Sequence, residues 1–395
     1  MSNKAVLIDV IDPRTDSKEA ELRLEELDSL VKTYGGATAL KAFQKRAKPA
    51  YKTYIGTGKI DEIFEELDGD FDIVILNNIM KPRQIDNLAE YITDLEIARL
   101  KEAGRFETPR KIQVWDRVDL ILKIFDKHAD SAEAKLQIEL ASIKHMGTRI
   151  FGMGLQLSRQ AGGIGTVGAG ESNLEMMKRH LRKREQLVKE KIKKYAGIQQ
   201  RQREQRRDRN MKTVALAGYT NAGKSTLIKT LTNKKEVYIA DELFATLDSK
   251  IGELYLGNDY KYKVGLADTI GFIQDLPPDL IQAFKTTLAE IVDADLILHL
   301  IDISDKNIHL KIKVVEEILD ELLDGKTTQR IFVFNKLDRL DHLSEEDKLA
   351  YIAELTERYA KNQPQLVSAL DKTSCDALIE TISSYFFVPQ TSPLA

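Results

Sequence analysis

The stretch TVALAGYTNAGKSTLIKTL, residues 213–231, restricts the possible folds of this chain more than any other. It reads as a strand, then Gly218-x4-Gly223-Lys224-Ser225, then a helix, which is the order a phosphate-binding loop requires. Glycines let successive backbone N–H groups turn toward a β-phosphate, and the helix N-terminus adds partial positive charge. Lys224 is placed to bridge β- and γ-oxygens, and the Ser225 hydroxyl to ligate Mg²⁺. Gly218, Asn221, Ala222, Gly223, Lys224, Ser225 and Thr226 are therefore candidate nucleotide contacts.

The base is indicated further along, where IFVFNKLD ends a strand with Asn335-Lys336-x-Asp338. A carboxylate there can accept from both N1–H and the exocyclic amine of guanine, whereas adenine offers no such pair of donors. The expected nucleotide is GTP. Between the two motifs, VGLADTIGF supplies Asp268 behind the Mg²⁺ and Gly271, whose N–H can meet the γ-phosphate. ADELFATLDS contains Thr246, a candidate Mg²⁺ ligand, and QLVSAL would close the base pocket through the backbone at Ser368 and Ala369. Lys224, Thr246 and Gly271 are the candidate catalytic groups.

Ahead of this region, strand-like runs at 4–11, 36–44, 72–76 and 112–115 alternate with helical stretches at 17–34, 58–67 and 82–92. That alternation predicts a small α/β domain over 1–129 built on a mostly parallel sheet. From Asp130 the period changes, with Leu136, Leu140, Ile143 and Ile150 marking one amphipathic helix that Gly152 can close. A second helix is expected to open at Ser172 and Glu175, a capping box, and to run through Leu174, Met177, Leu181, Val188, Ile192 and Tyr195. The two stripes predict an antiparallel coiled hairpin over 130–209. A P-loop domain over 210–388 and a short tail, 389–395, complete the chain.

The hairpin tip would be SRQAGGIGTVGAGE, 158–171, with five glycines. GIGTVG inside it matches a dinucleotide fingerprint, but such a fingerprint needs a strand before its glycines and an acidic residue ending a second strand about 20 positions on. Here a helix precedes and a basic helix follows, so the stretch reads as a pliable loop with Arg159 and Gln160 as polar contacts beside Gly162 and Gly163. Residues 171–212 hold 15 Lys or Arg against 6 Asp or Glu, a local +9 that leaves −12 for the rest of a chain whose net charge is −3. Such asymmetry suggests a polyanion, most often nucleic acid, and Lys178, Arg179, Arg182 and Lys183 are candidate phosphate contacts. With 43% apolar and 31% charged residues the chain has the balance of a globular protein. No apolar run approaches 18 residues, so no membrane span is expected and the cytosol is the expected compartment. The single cysteine, Cys375, leaves no disulfide framework or multi-Cys metal site and reads as a buried spectator.

With these residues in hand, the chain resembles the HflX family of translational GTPases. Residues 218–226, 241–249, 268–273, 335–338 and 368–369 look like its five G motifs. YIGTGKIDEI, KPRQIDNLAEYI, DSAEAKLQIELASI and SRQAGGIGTVGAGE resemble its N-terminal and hairpin signatures. Residues 93–111 look longer than the family's usual connection before Asp116-Arg117, and only a short tail is expected after the last helix of the P-loop domain, where many members carry a separate C-terminal domain. The resemblance implies binding to the large ribosomal subunit and its rRNA, with the hairpin loop reaching toward the peptidyl transferase centre. It also implies the splitting of stalled or idle ribosomes during stress, by a protein expected to be a monomer in solution. Family members are also reported to use ATP through the N-terminal region, where this chain has no P-loop.

Where Ras-like switches place the glutamine that orients water, this chain has Phe272, so slow intrinsic hydrolysis stimulated by the ribosome is expected. Asn221 sits where some GTPases use an asparagine to hold K⁺ beside the phosphates. An alternative reading is a regulatory GTPase switch acting on a protein effector, which shares every G motif but gives no reason for the basic hairpin.

Overall fold

The structure is a computed structural model that describes residues 4–145, 167–232, 251–256, 262–274, 280 and 284–387. The chain forms two compact units, Met1–Lys127 with Lys135–Ile192, and His128–Ala134 with Lys193–Ala395. The helical hairpin, expected as a segment of its own over 130–209, is thus shared between them.

The first unit holds a four-stranded sheet of order β2-β1-β3-β4, with strands Lys4–Ile11, Ala37–Lys45, Ile73–Leu76 and Gln113–Asp116. Every pairing is parallel, as the alternating sequence predicts. Seven of the eight β1 residues are buried, the mark of a strand covered by helices on both faces. Helix α1, Ser17–Tyr34, is capped by the Asp16 carboxylate and ends at Gly35 with φ +93°, whose N–H donates to Lys32 O. After α2, Thr57–Glu66, comes α3, Pro82–Glu102, which extends ten residues past the expected end.

That extension accounts for half of the segment 93–111, which the sequence left unplaced. Ile92, Glu96 and Leu100 form one buried stripe, and the middle position is a carboxylate. Glu96 is buried because Arg99 (3.0 Å) and Arg110 (3.3 Å) both bind it. Arg110 also donates to Gly69 O at 2.6 Å, tying the loop after α3 to the turn between α2 and β3.

At the end of β4, Asp116 and Asp119 accept from each other's backbone N–H (2.9 and 3.1 Å) and open α4, Arg117–His128. His145 reaches both carboxylates, at 3.3 and 3.4 Å. Burial opposes its charge, but the two carboxylates outweigh that and raise its pKa to about 9. Arg117, 2% exposed, donates to Asn77 Oδ1 and Glu26 Oε2.

Residues 132–145 form helix α5, and α6 runs from Val167 to Asp208. Of the expected stripes, Leu140 and Val188 are buried while Leu136, Ile143, Leu181, Ile192 and Tyr195 are half-buried. Ile150 and Gly152 lie outside the described residues. Helix α6 starts five residues before the expected Ser172 cap, so 167–171 of the glycine stretch are helical. Glycine costs about 1 kcal/mol per position in a helix, but adding residues to a helix of 42 needs no new nucleus. Arg184 binds Glu139 across the hairpin in the first unit, and Gln199 donates to Glu133 at 2.7 Å in the second.

The second unit carries a six-stranded sheet of order β10-β9-β8-β5-β7-β6, parallel except for β6 against β7. Its strands are β5 Lys212–Gly218, β6 Ile251–Leu256, β7 Tyr262–Ala267, β8 Leu296–Asp302, β9 Arg330–Asn335 and β10 Gln365–Leu366. Helices α7 Lys224–Thr232, α8 Lys285–Val292, α9 Ile308–Leu323, α10 Glu345–Arg358 and α11 Asp376–Phe387 follow in order. Cys375 is fully buried in the main core with Val214, Leu216 and Leu378, as expected. Among the described residues no helix is long and apolar enough to cross a membrane.

Candidate nucleotide-binding site

The carboxyl ends of β5, β7 and β9 converge on one rim of the second sheet, and the candidate residues sit there. β5 ends at Gly218, and the chain turns through residues 219–223 into α7. Two non-standard backbone positions make the turn, Asn221 at φ +61° and Gly223 at φ +96°. At Gly223 an added Cβ would lie 2.3 Å from Asn335 Nδ2, so only glycine lets these segments meet.

Lys224 is 7% exposed, and its ammonium donates to the carbonyls of Gly218 (3.1 Å) and Tyr219 (3.0 Å). Burial lowers its pKa to about 8; Asp268 opposes the shift and Lys336 adds to it. The Ser225 hydroxyl donates to Asp268 Oδ2 at 2.8 Å, and Asp268 Oδ1 accepts from Thr269 N at 3.0 Å. These are hard oxygen donors, the chemistry that suits Mg²⁺. Gly271 lies against the turn, for a Cβ there would stand 2.9 Å from Thr220 Cα and 3.0 Å from Lys224 Nζ.

The guanine-side residues form a second cluster. Asn335, 1% exposed, donates from Nδ2 to Ala222 O and accepts at Oδ1 from Ala369 N, both at 2.8 Å. It therefore joins the phosphate turn to the loop after β10. Lys336 stands at φ +66° with Nζ 2.7 Å from Asp302 Oδ2. Asp338 is exposed, and its Oδ1 accepts from Ser368 Oγ at 2.5 Å. Ala369 O in turn accepts from Thr230 Oγ1 at 2.6 Å, fixing the loop to α7.

Thr246, Arg159, Gln160, Gly162 and Gly163 lie outside the described residues. Lys178, Arg179, Arg182 and Lys183 are on α6 in the other unit, Lys178 half-buried and the remaining three exposed at spacings of three and four that share a face.

Two residues escaped the sequence reading. Phe272, expected only as a missing glutamine, is 1% exposed and its main chain pairs with the phosphate turn: Thr220 N donates to Phe272 O (2.8 Å) and Phe272 N to Gly218 O (3.1 Å). Tyr219 accepts at its hydroxyl from Gln274 N at 2.8 Å, a second tie between turn and switch. The only signal for it was an aromatic at a variable position of the loop pattern.

Three family models cover most of the chain, described as GTP-binding GTPase N-terminal (residues 21–126), GTP-binding GTPase Middle Region (128–206) and 50S ribosome-binding GTPase (213–336). Among curated proteins, GTPase HflX of Caldanaerobacter subterraneus is 37% identical over 97% of this chain and 81% of its own. GTPase HflX of Escherichia coli is 37% identical over 83% and 72%, and that of Methanocaldococcus jannaschii 33% over 93% and 84%. Among solved structures, a GDP complex of SsGBP matches with TM-score 0.51 at 23% identity, covering 97% of this chain and 98% of that one.

Proposed function

This chain belongs to the HflX family of ribosome-associated GTPases, and from that premise we propose that its GTP-bound form docks on the large ribosomal subunit and drives the two subunits apart. It is a GTPase, and the geometry above supports the following assignment of nucleotide contacts. Lys224 and the N–H groups of 221–226 hold the phosphates, and Asn335, Asp338, Ser368 and Ala369 hold guanine. Ser225 and Thr246 would carry Mg²⁺, with Asp268 behind it, and the ion would there supply positive charge for the transferred phosphoryl group. Gly271 N–H meets the γ-phosphate.

The buried ring of Phe272 neither donates nor accepts a hydrogen bond, so no side chain at that position orients water and the isolated protein turns over slowly. Ordering of the switch on the ribosome supplies what is missing. Asn221 could in addition hold a K⁺ that adds positive charge beside the phosphates, tested by exchanging K⁺ for Na⁺ in the assay.

The observation that carries the ribosomal reading is α6. This single helix of 42 residues begins in the glycine stretch and carries +7 of the local excess of +9. Exposed Arg179, Arg182 and Lys183 give salt-dependent affinity for RNA phosphates, while 158–166 probes the peptidyl transferase cavity. Sucrose gradients of ribosomes with the protein and GTP, GDP or a non-hydrolysable analogue test this. Subunit separation should appear with the triphosphate, and deletion of 158–166 should abolish it without weakening GTP binding. A protein that ignores ribosomes with every guanine ligand leaves the effector-switch reading instead.

A further inference from the structure

Between β2 and α2 the chain makes a tight turn in which Ala50 and Tyr54 exchange both backbone hydrogen bonds, at 2.7 and 2.9 Å. Tyr54 is held at φ +68°, a left-handed conformation that costs a side-chain-bearing residue about 1–2 kcal/mol. Amides from α3 clamp the turn. Gln84 Nε2 donates to Ala50 O (3.2 Å) and Tyr51 O (3.3 Å), and Asn87 Nδ2 to Lys52 O (2.9 Å). Ile55 anchors the far side at 0% exposure.

Turn tips ordinarily face solvent, but this one carries a large aromatic, Tyr51, 91% exposed. Around it, residues 45–58 contain Lys45, Arg46, Lys48 and Lys52 and no acidic residue. None of these four has an ion pair among the described residues, and Lys81 and Arg83, just before the clamping Gln84, are exposed as well. The nearby acids Asp61 and Glu62 are already engaged by Tyr91 and Lys59, each at 2.7 Å.

An exposed aromatic on a backbone-clamped turn, with cations that make no ion pair close by in sequence, is the equipment for stacking one unpaired base while its flanking phosphates are neutralised. We infer that the turn 50–54 is a second RNA contact, in which Tyr51 stacks on an unpaired nucleotide and Lys48 and Lys52 bind its phosphates. It rests on the ribosomal reading for the source of the RNA, not for the chemistry.

The test uses the full chain with a GTP analogue and two labelled probes, a short unstructured oligoadenylate and a blunt RNA duplex, in fluorescence anisotropy. The basic helix contributes to both probes alike. Tyr51→Ala should weaken oligoadenylate binding by about 5- to 100-fold and leave the duplex within twofold, while Tyr51→Phe keeps both. Lys48→Ala with Lys52→Ala should weaken both probes and flatten the salt dependence. An unchanged oligoadenylate affinity in Tyr51→Ala, an equal loss on the duplex, or an equal loss in Tyr51→Phe overturns the inference. Wild-type protein that fails to sediment with ribosomes removes the ribosomal reading and leaves the stacking result to stand or fall separately.

Discussion

The phosphate-site lysine should destabilise the protein that carries it. Lys224 is buried, and its pKa of about 8 lies well below the ordinary 10.5. At 1.36 kcal/mol per pH unit, that gap means the fold gives up about 3 kcal/mol to keep the ammonium charged at pH 7. The two carbonyls that Lys224 binds each have another donor, Phe272 N for Gly218 O and Ala222 N for Tyr219 O, so replacing the lysine orphans neither. Lys224→Met keeps a straight apolar chain of similar length. In nucleotide-stripped protein at pH 7 it should therefore raise the stability of the second unit by about 2 kcal/mol, the remainder going to lost lysine hydrogen bonds. The sign follows from a folded pKa below the unfolded one. Below pH 8 both states are charged and the full cost applies. Between about 8 and 10.5 the folded state releases its proton first, so wild-type stability rises and the advantage of the variant disappears. Urea unfolding read by hydrogen exchange at the β5 and β8 amides, at pH 7 and again near the top of that window, measures this. Excess GTP should stabilise wild type and leave the variant unmoved. A variant that is no more stable at pH 7, or whose advantage persists at high pH, would show that the buried charge is not the source of the cost.

Gly223→Ala must displace Asn335 and break its hydrogen bonds to Ala222 and Ala369, since the new Cβ would be 2.3 Å from Nδ2 at φ +96°. A loss of at least about 2 kcal/mol is expected, with GTP binding abolished in calorimetry; retained affinity would mean that the turn adapts. Asp338→Asn should lower GTP affinity about 10- to 100-fold, the cost of a charge-assisted bond, and raise affinity for xanthosine triphosphate; equal GTP binding in both proteins would move the guanine contact elsewhere. His145 has a pKa raised to about 9, so its pairing with Asp116 and Asp119 stabilises the first unit fully below pH 6.5 and is lost as pH rises through 9. His145→Gln should cost up to about 3 kcal/mol at pH 6 and little at pH 10, and a pH-independent difference in unfolding would remove the ion pair from the account.

Much of the candidate site is legible in the chain because phosphate and guanine recognition use backbone groups at fixed spacing. Gly223 and Gly271 stand where no side chain fits, and such demands write themselves into local sequence. The parallel sheet of the first unit is legible for a similar reason, since a strand buried on both faces must read as KAVLIDVI does. Where the reading failed, a distant partner had changed the local rule. The end of α3 was hidden because Glu96 interrupts its apolar stripe, and it takes Arg110, fourteen residues on, together with Arg99 to make that position a buried one. The start of α6 was misplaced because a capping box describes one helix turn, whereas the helix that absorbs two glycines is 42 residues long.

Sequence alone thus determined which nucleotide this chain takes, the succession of its elements and the charge of its long helix, all properties of neighbours along the backbone. Tertiary structure decided that Asn335 ties the phosphate turn to the loop after β10, that Phe272 is folded away while its main chain pairs with that turn, and that Tyr51 stands on a clamped, strained corner. These are contacts between residues tens of positions apart, and no local spacing encodes a distance that exists only once the chain has closed on itself.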